Sequence, residues 1–440
     1  MKKNILVTFL LMLICMSSSA QKKENTSEYF AAQGQKALAA GKIDAAKDFW
    51  KQARMAKQIS VEEICLGGDI YLKENDQAGA IKQYRRAMFF NRHSPLGYTK
   101  LANLLKKTDV EHAALVLDTL RQLRPELKVE YQIADLYYDV ANYEGALKVY
   151  DSLQVNVMPD TALLHYTACA YFGKKYEKSL ELAMKGHVRN SRNAVFNRLR
   201  MYNCTELEKY RDALEAANDM FYNSDSLTAQ YMDYLYYGYA LNGYGRSQDA
   251  IAQFNKAIEL SAGKVDISSQ ISDAYMRIKK FDEAAMYYQK YMAGKKDDNN
   301  KVYDTYHLGY IWWQKAVSDT TLAKADKIAT LKKAADVFHQ LSVLEPDNYI
   351  GYYWEAKANT LMDEDYKLGL AKPYYMKVIE VTASDASHKS AYIEACKYMS
   401  YFNYLKKNMR GAYEFAQKIL AVDPDDSYAF SISEATKNAK

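Results

Sequence analysis

The sequence predicts an all-α chain, an α-solenoid superhelix of about eleven stacked helix-turn-helix units. Three observations predict it. A small residue, usually alanine, returns at a period near 34 residues over almost the whole length. Each period holds two stretches whose apolar residues recur at offsets of three, four and seven, the signature of one helix face. Only 6 prolines and 18 glycines interrupt the 440 residues, which favours long helices over many tight turns.

The chain opens with Lys2 and Lys3, an apolar run from Ile5 to Met16, and small residues ending at Ala20. That is the layout of a secretory signal peptide over residues 1–20, with Ser18 and Ala20 at the small positions of a cleavage site. The secreted chain is therefore expected to start at Gln21. Cys15 invites comparison with a lipoprotein signal, but bulky Ile14 stands where a small residue would precede an acylated cysteine, so lipid anchoring is the weaker expectation. The apolar run is too short to span a bilayer comfortably and none like it recurs, so no transmembrane segment is expected after the leader. Export of this kind points to the periplasm of a Gram-negative cell.

The formal charge of +5 includes Lys2 and Lys3, so the chain beyond residue 20 carries +3, with both signs interspersed. Nothing in that balance asks for nucleic acid. With 13% aromatic and 26% charged residues the chain has enough apolar surface to fold. Cys65, Cys169, Cys204 and Cys396 are too few for a disulfide framework and fit no zinc spacing; single buried thiols are expected.

The repeat sets the elements in order. Ala46, Trp50 and Ala53, then Ala80, Tyr84 and Ala87, give a small residue, an aromatic four later and an alanine three after that. The first position continues through Ala114, Ala146, Ser179, Ala213, Ala250 and Ala284, then at wider steps through Ala334, Ala371 and Ala412. In the seventh unit Tyr234, Tyr237, Gly238 and Leu241 share a face of the first helix, "NGYG" breaks it, and Ala250, Phe254, Ala257 and Ile258 line the second. Small residues let two helices approach while the aromatic fills the space beside them. One pair cannot bury its own apolar faces, so units must stack.

Departures are specific. Asp118 falls at the aromatic site of the third unit, and Ser179 and Gly186 replace alanines in the fifth. The ninth unit carries an insertion of about a dozen residues near 315–330. The polar stretch from Gly294 to Asn300 is expected to separate an array of about eight repeats over 21–293 from about three looser ones over 294–440.

The pattern resembles the tetratricopeptide repeat family, carried by Gly68, Tyr71, Ala80, Tyr84 and Ala87 in the second unit. Leu308, Gly309, Ala334, Phe338 and Pro346 carry it in the ninth, and Ala412, Ile419 and Pro424 in the last. The resemblance implies that first helices line a concave, partner-binding face. Projecting the family's concave positions onto this chain gives Tyr131, Asp135, Tyr138, Tyr202, Tyr239, Tyr306, Tyr310 and Trp313, with Tyr303, Tyr401 and Tyr404 beside them. Rings with Asp135 and Asp273 between them suit an extended peptide or an amphipathic helix better than a phosphate. The lysine-asparagine clamp that some members close on a C-terminal carboxylate is missing, since Ala31, Gln35, Thr99 and Asn103 hold those sites.

No catalytic constellation is expected. The seven histidines are scattered, and "GYGRSQ" lacks the third glycine of a dinucleotide loop. Neither metal nor cofactor is implied. The expected function is a non-catalytic periplasmic scaffold that binds protein or peptide partners of the cell envelope on an aromatic-rich concave face. The alternative is a glycan-binding envelope protein using exposed tyrosine and tryptophan rings.

Overall fold

The computed structural model describes residues 26–295 and 300–437; the predicted leader and the middle of the polar stretch after Gly294 lie outside them. Among the described residues, helices follow one another in pairs. The first five are α1 (Ser27–Ala39) with α2 (Ile43–Met55), α3 (Val61–Lys73) with α4 (Gln77–Phe90), α5 (Pro95–Leu105) with α6 (Val110–Leu123), α7 (Glu130–Asp139) with α8 (Tyr143–Tyr150), and α9 (Asp160–Phe172) with α10 (Tyr176–Arg189). Next come α11 (Ala194–Glu206) and α12 (Tyr210–Asn218), which runs into a π-helical turn over Asp219–Asn223. Five more pairs follow: α13 (Tyr231–Gly243) with α14 (Ser247–Leu260), α15 (Ser268–Arg277) with α16 (Phe281–Gly294), α17 (Lys301–Ser318) with α18 (Lys324–Leu344), α19 (Tyr349–Met362) with α20 (Lys372–Thr382), and α21 (Lys389–Leu405) with α22 (Met409–Val422). A single helix, α23 (Ser427–Thr436), buries Ala429 and Ser433 and leaves Phe430, Ser431 and Glu434 exposed.

The chain is an all-α solenoid of stacked helix pairs, and its contacts form two compact units. One runs through Leu207 and includes Ala216–Leu227; the other comprises Glu208–Glu215 and everything from Thr228. Among the described residues the only β pairing outside helices is an isolated bridge between Asn193 and Asp225. No helix among them is long and apolar enough to cross a membrane.

Local chemistry explains the pairing. The turn inside a pair places one residue in the left-handed region, at Gly41, Asn75, Ala141, Lys174, Gly245, Lys279 and Lys407. The second helix then starts, in several pairs, under a side-chain cap: Asp76 accepts from the Gly79 amide at 2.8 Å, Asn142 from Gly145 at 2.9 Å and Asn408 from Gly411 at 3.2 Å.

The small-residue register holds through the chain with one correction. In the third pair the residue at the fourth position of the second helix is Ala113, not Ala114. Leu117, 2% exposed, therefore fills the place expected to hold Asp118, which sits at the surface paired with Arg121. With that shift Ala46, Ala80, Ala113, Ala146, Ser179, Ala213, Ala250, Ala284, Ala334, Ala371 and Ala412 are all 0% exposed. The first helix supplies the matching vacancy. A Cβ on Gly68, Gly238 or Gly309 would lie within 2.6 Å of the Tyr84, Phe254 or Phe338 ring of its own pair. In the fifth pair the exchange is inverted: Ala183 is small where a ring is usual, and Phe196 of α11 fills the space against Gly186.

The insertion in the ninth unit is helical. Gly68 and Tyr84, like Gly238 and Phe254, are 16 residues apart, whereas Gly309 and Phe338 are 29 apart. The additional residues lengthen α17 to 18 residues and α18 to 21, against 13 and 14 in α13 and α14. Ala316 and Leu331 in these extensions bury against Ala358 of α19, and Lys327 Nζ reaches Glu364 at 3.1 Å.

Candidate partner-binding site

First helices carry the expected contact residues, four in each unit. In the first unit, Asp69 of α3 is a hub. It accepts from the hydroxyl of Tyr84 at 2.6 Å, from Lys100 Nζ of α5 at 2.9 and 2.7 Å, and from the Gln35 amide of α1. One carboxylate thus joins three successive repeats. Asp135 of α7 repeats the arrangement: the Tyr150 hydroxyl donates to it at 2.8 Å, and Nδ1 of His165 on α9 lies 2.7 Å away. That hydrogen bond holds the His165 imidazolium above its ordinary range, against the opposing effect of burial. Burial, followed by the Asp135 charge, pushes the Tyr150 hydroxyl up.

Tyr138 stacks on the same His165, ring centroids 4.5 Å apart at 13°, so Asp135 and Tyr138 meet through a histidine. Tyr131 is half-buried and packs against the core. Tyr202 is buried, its ring 5.7 Å from that of Tyr171, and presents little surface.

In the second unit, Tyr239 is half-buried and set edge-on to Tyr236 and Phe254. Of the tyrosines beside it in the helix, Tyr236 is buried, while Tyr234 and Tyr237, placed at core positions by the sequence reading, are half-buried against the core. Asp273 and His307 face each other at 3.8 Å. Burial lowers the His307 imidazole from its ordinary value, against the pull of Asp273.

Tyr306, Tyr310 and Trp313 form a row along α17. Tyr306 stacks on Tyr310 at 6.0 Å and 20°, and Tyr310 on Trp313 at 6.0 Å and 21°. Their spacing of four and three residues brings the rings onto one face. Trp354 of α19 meets all three edge-on at 5.8, 5.8 and 5.1 Å, and itself stacks on Phe338 at 5.6 Å. Lys357 sets its ammonium 4.8 Å from the Tyr353 ring and 5.5 Å from Trp354. Tyr353 donates to Glu394 at 2.5 Å. At the Tyr306 end of the row opens a cleft of about 670 Å³, walled by Tyr303, Tyr306, Tyr349, Tyr353 and Trp354 and floored by Leu341 and Gly351. Tyr303 stands at its lip, 62% exposed.

His165, Tyr349, Tyr353 and Trp354 escaped the sequence reading. The last three lie just beyond the insertion, where the lengthened α18 displaces the spacing by which positions are projected. His165 had a signal in principle, because it follows Asp135 by 30 residues, close to one repeat.

No family model matches the sequence, and no curated protein matches it. Solved structures are similar. The C-terminal part of a TPR repeat-containing protein from Cytophaga hutchinsonii is 28% identical, covering 61% of this chain and 98% of that one, at a TM-score of 0.49. A tetratricopeptide repeat protein from Parabacteroides merdae is 18% identical over 56% of this chain and 98% of that one, at a TM-score of 0.36. With both overlays below 0.5, the assignment rests on the chain's own geometry. A buried small residue returns in eleven successive second helices or at their caps, and in several pairs a bulky ring is seated over a glycine of the first helix. That register gives the chain the fold of a helix-pair solenoid of the tetratricopeptide type.

Proposed function

We propose that this is an exported, non-catalytic scaffold of the cell envelope that holds segments of protein partners on the faces made by its first helices. The observation that carries the reading is the ring row of Tyr306, Tyr310 and Trp313 ending in an open aromatic cleft. Large rings at a solvent-open cleft provide the anchor pockets in which a few residues supply most of the binding energy of an interface. The hubs at Asp69 and Asp135 support the same reading from the other side. Their carboxylates already have donors from neighbouring repeats, so they fix the positions of helices and leave contact to rings and amides.

The test is affinity capture from envelope extract with the full chain, secreted through its own leader, compared with Tyr303→Ala. Tyr303 is exposed, so the variant should fold as the wild type does. A protein retained by the wild type, lost with Tyr303→Ala, and competed off by an isolated segment of itself supports the reading. Retention on immobilised polysaccharide with no variant-sensitive protein rejects it in favour of glycan binding.

A further inference from the structure

Resting on that reading, we propose that the cleft beside Tyr306 takes the guanidinium group of an arginine carried by the partner segment. Three features of the cleft point to this group.

The first is shape. Tyr310 covers one side of the Tyr306 ring, and the cleft reaches Tyr306 without reaching Tyr310 or Trp313, so it lies at the open end of the row. A planar group entering there continues the stack. Guanidinium is planar and stacks on aromatic faces, which an ammonium cannot do.

The second is charge. Glu345 lines the cleft, and neither its carboxylate nor that of Asp347 two residues on has a hydrogen bond or ion pair among the described residues. Lys301, the one cation on the described lining, is already held in an interaction of its own. An unpaired carboxylate beside ring faces with negative quadrupoles favours a cation, and its two oxygens match the guanidinium fork.

The third is precedent within the site. Two of its walls, Tyr353 and Trp354, already bear a cation in Lys357. The rings therefore tolerate positive charge at contact distance.

The experiment titrates the full chain with N-acetyl-arginine methylamide, read by tryptophan fluorescence and by NMR, beside the lysine and tryptophan analogues and maltotriose. Saturable binding of the arginine probe is expected, tighter than the lysine analogue by at least about three-fold. It should weaken with added salt and fall by about ten-fold in Glu345→Gln, one unit of 1.4 kcal/mol. Glu345 is exposed, and the thermal transition of Glu345→Gln should match the wild type. Equal affinity in wild type and Glu345→Gln overturns the proposal, as does tighter binding of the tryptophan analogue or of maltotriose. So does a failure of the arginine probe to saturate. If partners are captured while the arginine probe fails, only the guanidinium site falls. If the probe binds while no variant-sensitive partner is retained, the scaffold reading falls and the cation site stands.

Discussion

Replacing Asp69 by alanine removes the carboxylate that three repeats share. Hydrogen bonds to a charged group contribute about 1.5–3 kcal/mol each. The three do not simply add: Lys100 is 28% exposed and returns partly to water, and the Gln35 amide is only half-buried. Tyr84 has no such recourse, because its ring is 1% exposed and its hydroxyl ends on Asp69. A loss of about 3 kcal/mol is expected for Asp69→Ala, and about 1.5 kcal/mol for Tyr84→Phe. In a domain of this size each kcal/mol moves the midpoint by about 2–4 °C, so Asp69→Ala should melt about 6–12 °C lower. Calorimetry and urea titration of the four chains of a double-mutant cycle measure it. The double variant should cost about 1 kcal/mol less than the sum of the two singles, since each removes the same bond. Strict additivity, or a loss under about 1 kcal/mol for Asp69→Ala, would show that the hub does not tie the repeats together.

Three further outcomes are expected. Gly186→Ala, whose Cβ would lie 2.3 Å from a carbon of the Phe196 ring, should cost about 1–3 kcal/mol in a denaturant melt, and adding Phe196→Leu should recover part of it. Because its bond to Asp135 raises the His165 pKa, that pair stabilises the fold fully below the ordinary histidine range and loses its contribution as pH rises through the raised value. Urea melts from about pH 5 to about pH 8 should therefore show a fall in the wild type that His165→Gln lacks; parallel profiles would remove the pair from the stability of the unit. Cys65, Cys169 and Cys396 are buried, each thiol pushed up to about 12 chiefly by burial, so a thiol reagent at neutral pH should label them only at the rate of unfolding.

How much of this was legible depended on the range of each signal. Helix pairs were readable because alanine and ring recur at fixed offsets within a single helix, as at Ala80 and Tyr84. The third register went astray by one because Ala113 and Ala114 stand side by side, and only packing distinguishes the residue at the crossing from its neighbour. Tyr202 and Tyr239 show the limit of projecting a face: a ring large enough to reach solvent also reaches the next helix, and in both places it packs there. The Tyr306 row was legible because its rings share one helix. Trp354, which completes it, comes from α19 beyond a 13-residue displacement that no periodicity carries across. The pairing of Asp135 with His165 likewise exists only once two repeats are stacked.

The lengthened hairpin of the ninth repeat has a consequence for how the second unit can be read by a partner. Four of the additional residues of α17 lie beyond Gly309 and all seven of α18 lie before Ala334, so at 1.5 Å each the tips extend roughly 6 and 10 Å beyond those of α13 and α14. An array of equivalent steps is a ruler without numerals, on which a segment can be laid one step off at no cost. The lengthened hairpin, braced by Lys327 against Glu364, is a numeral: it marks one step as unlike the others and so gives the ruler an origin.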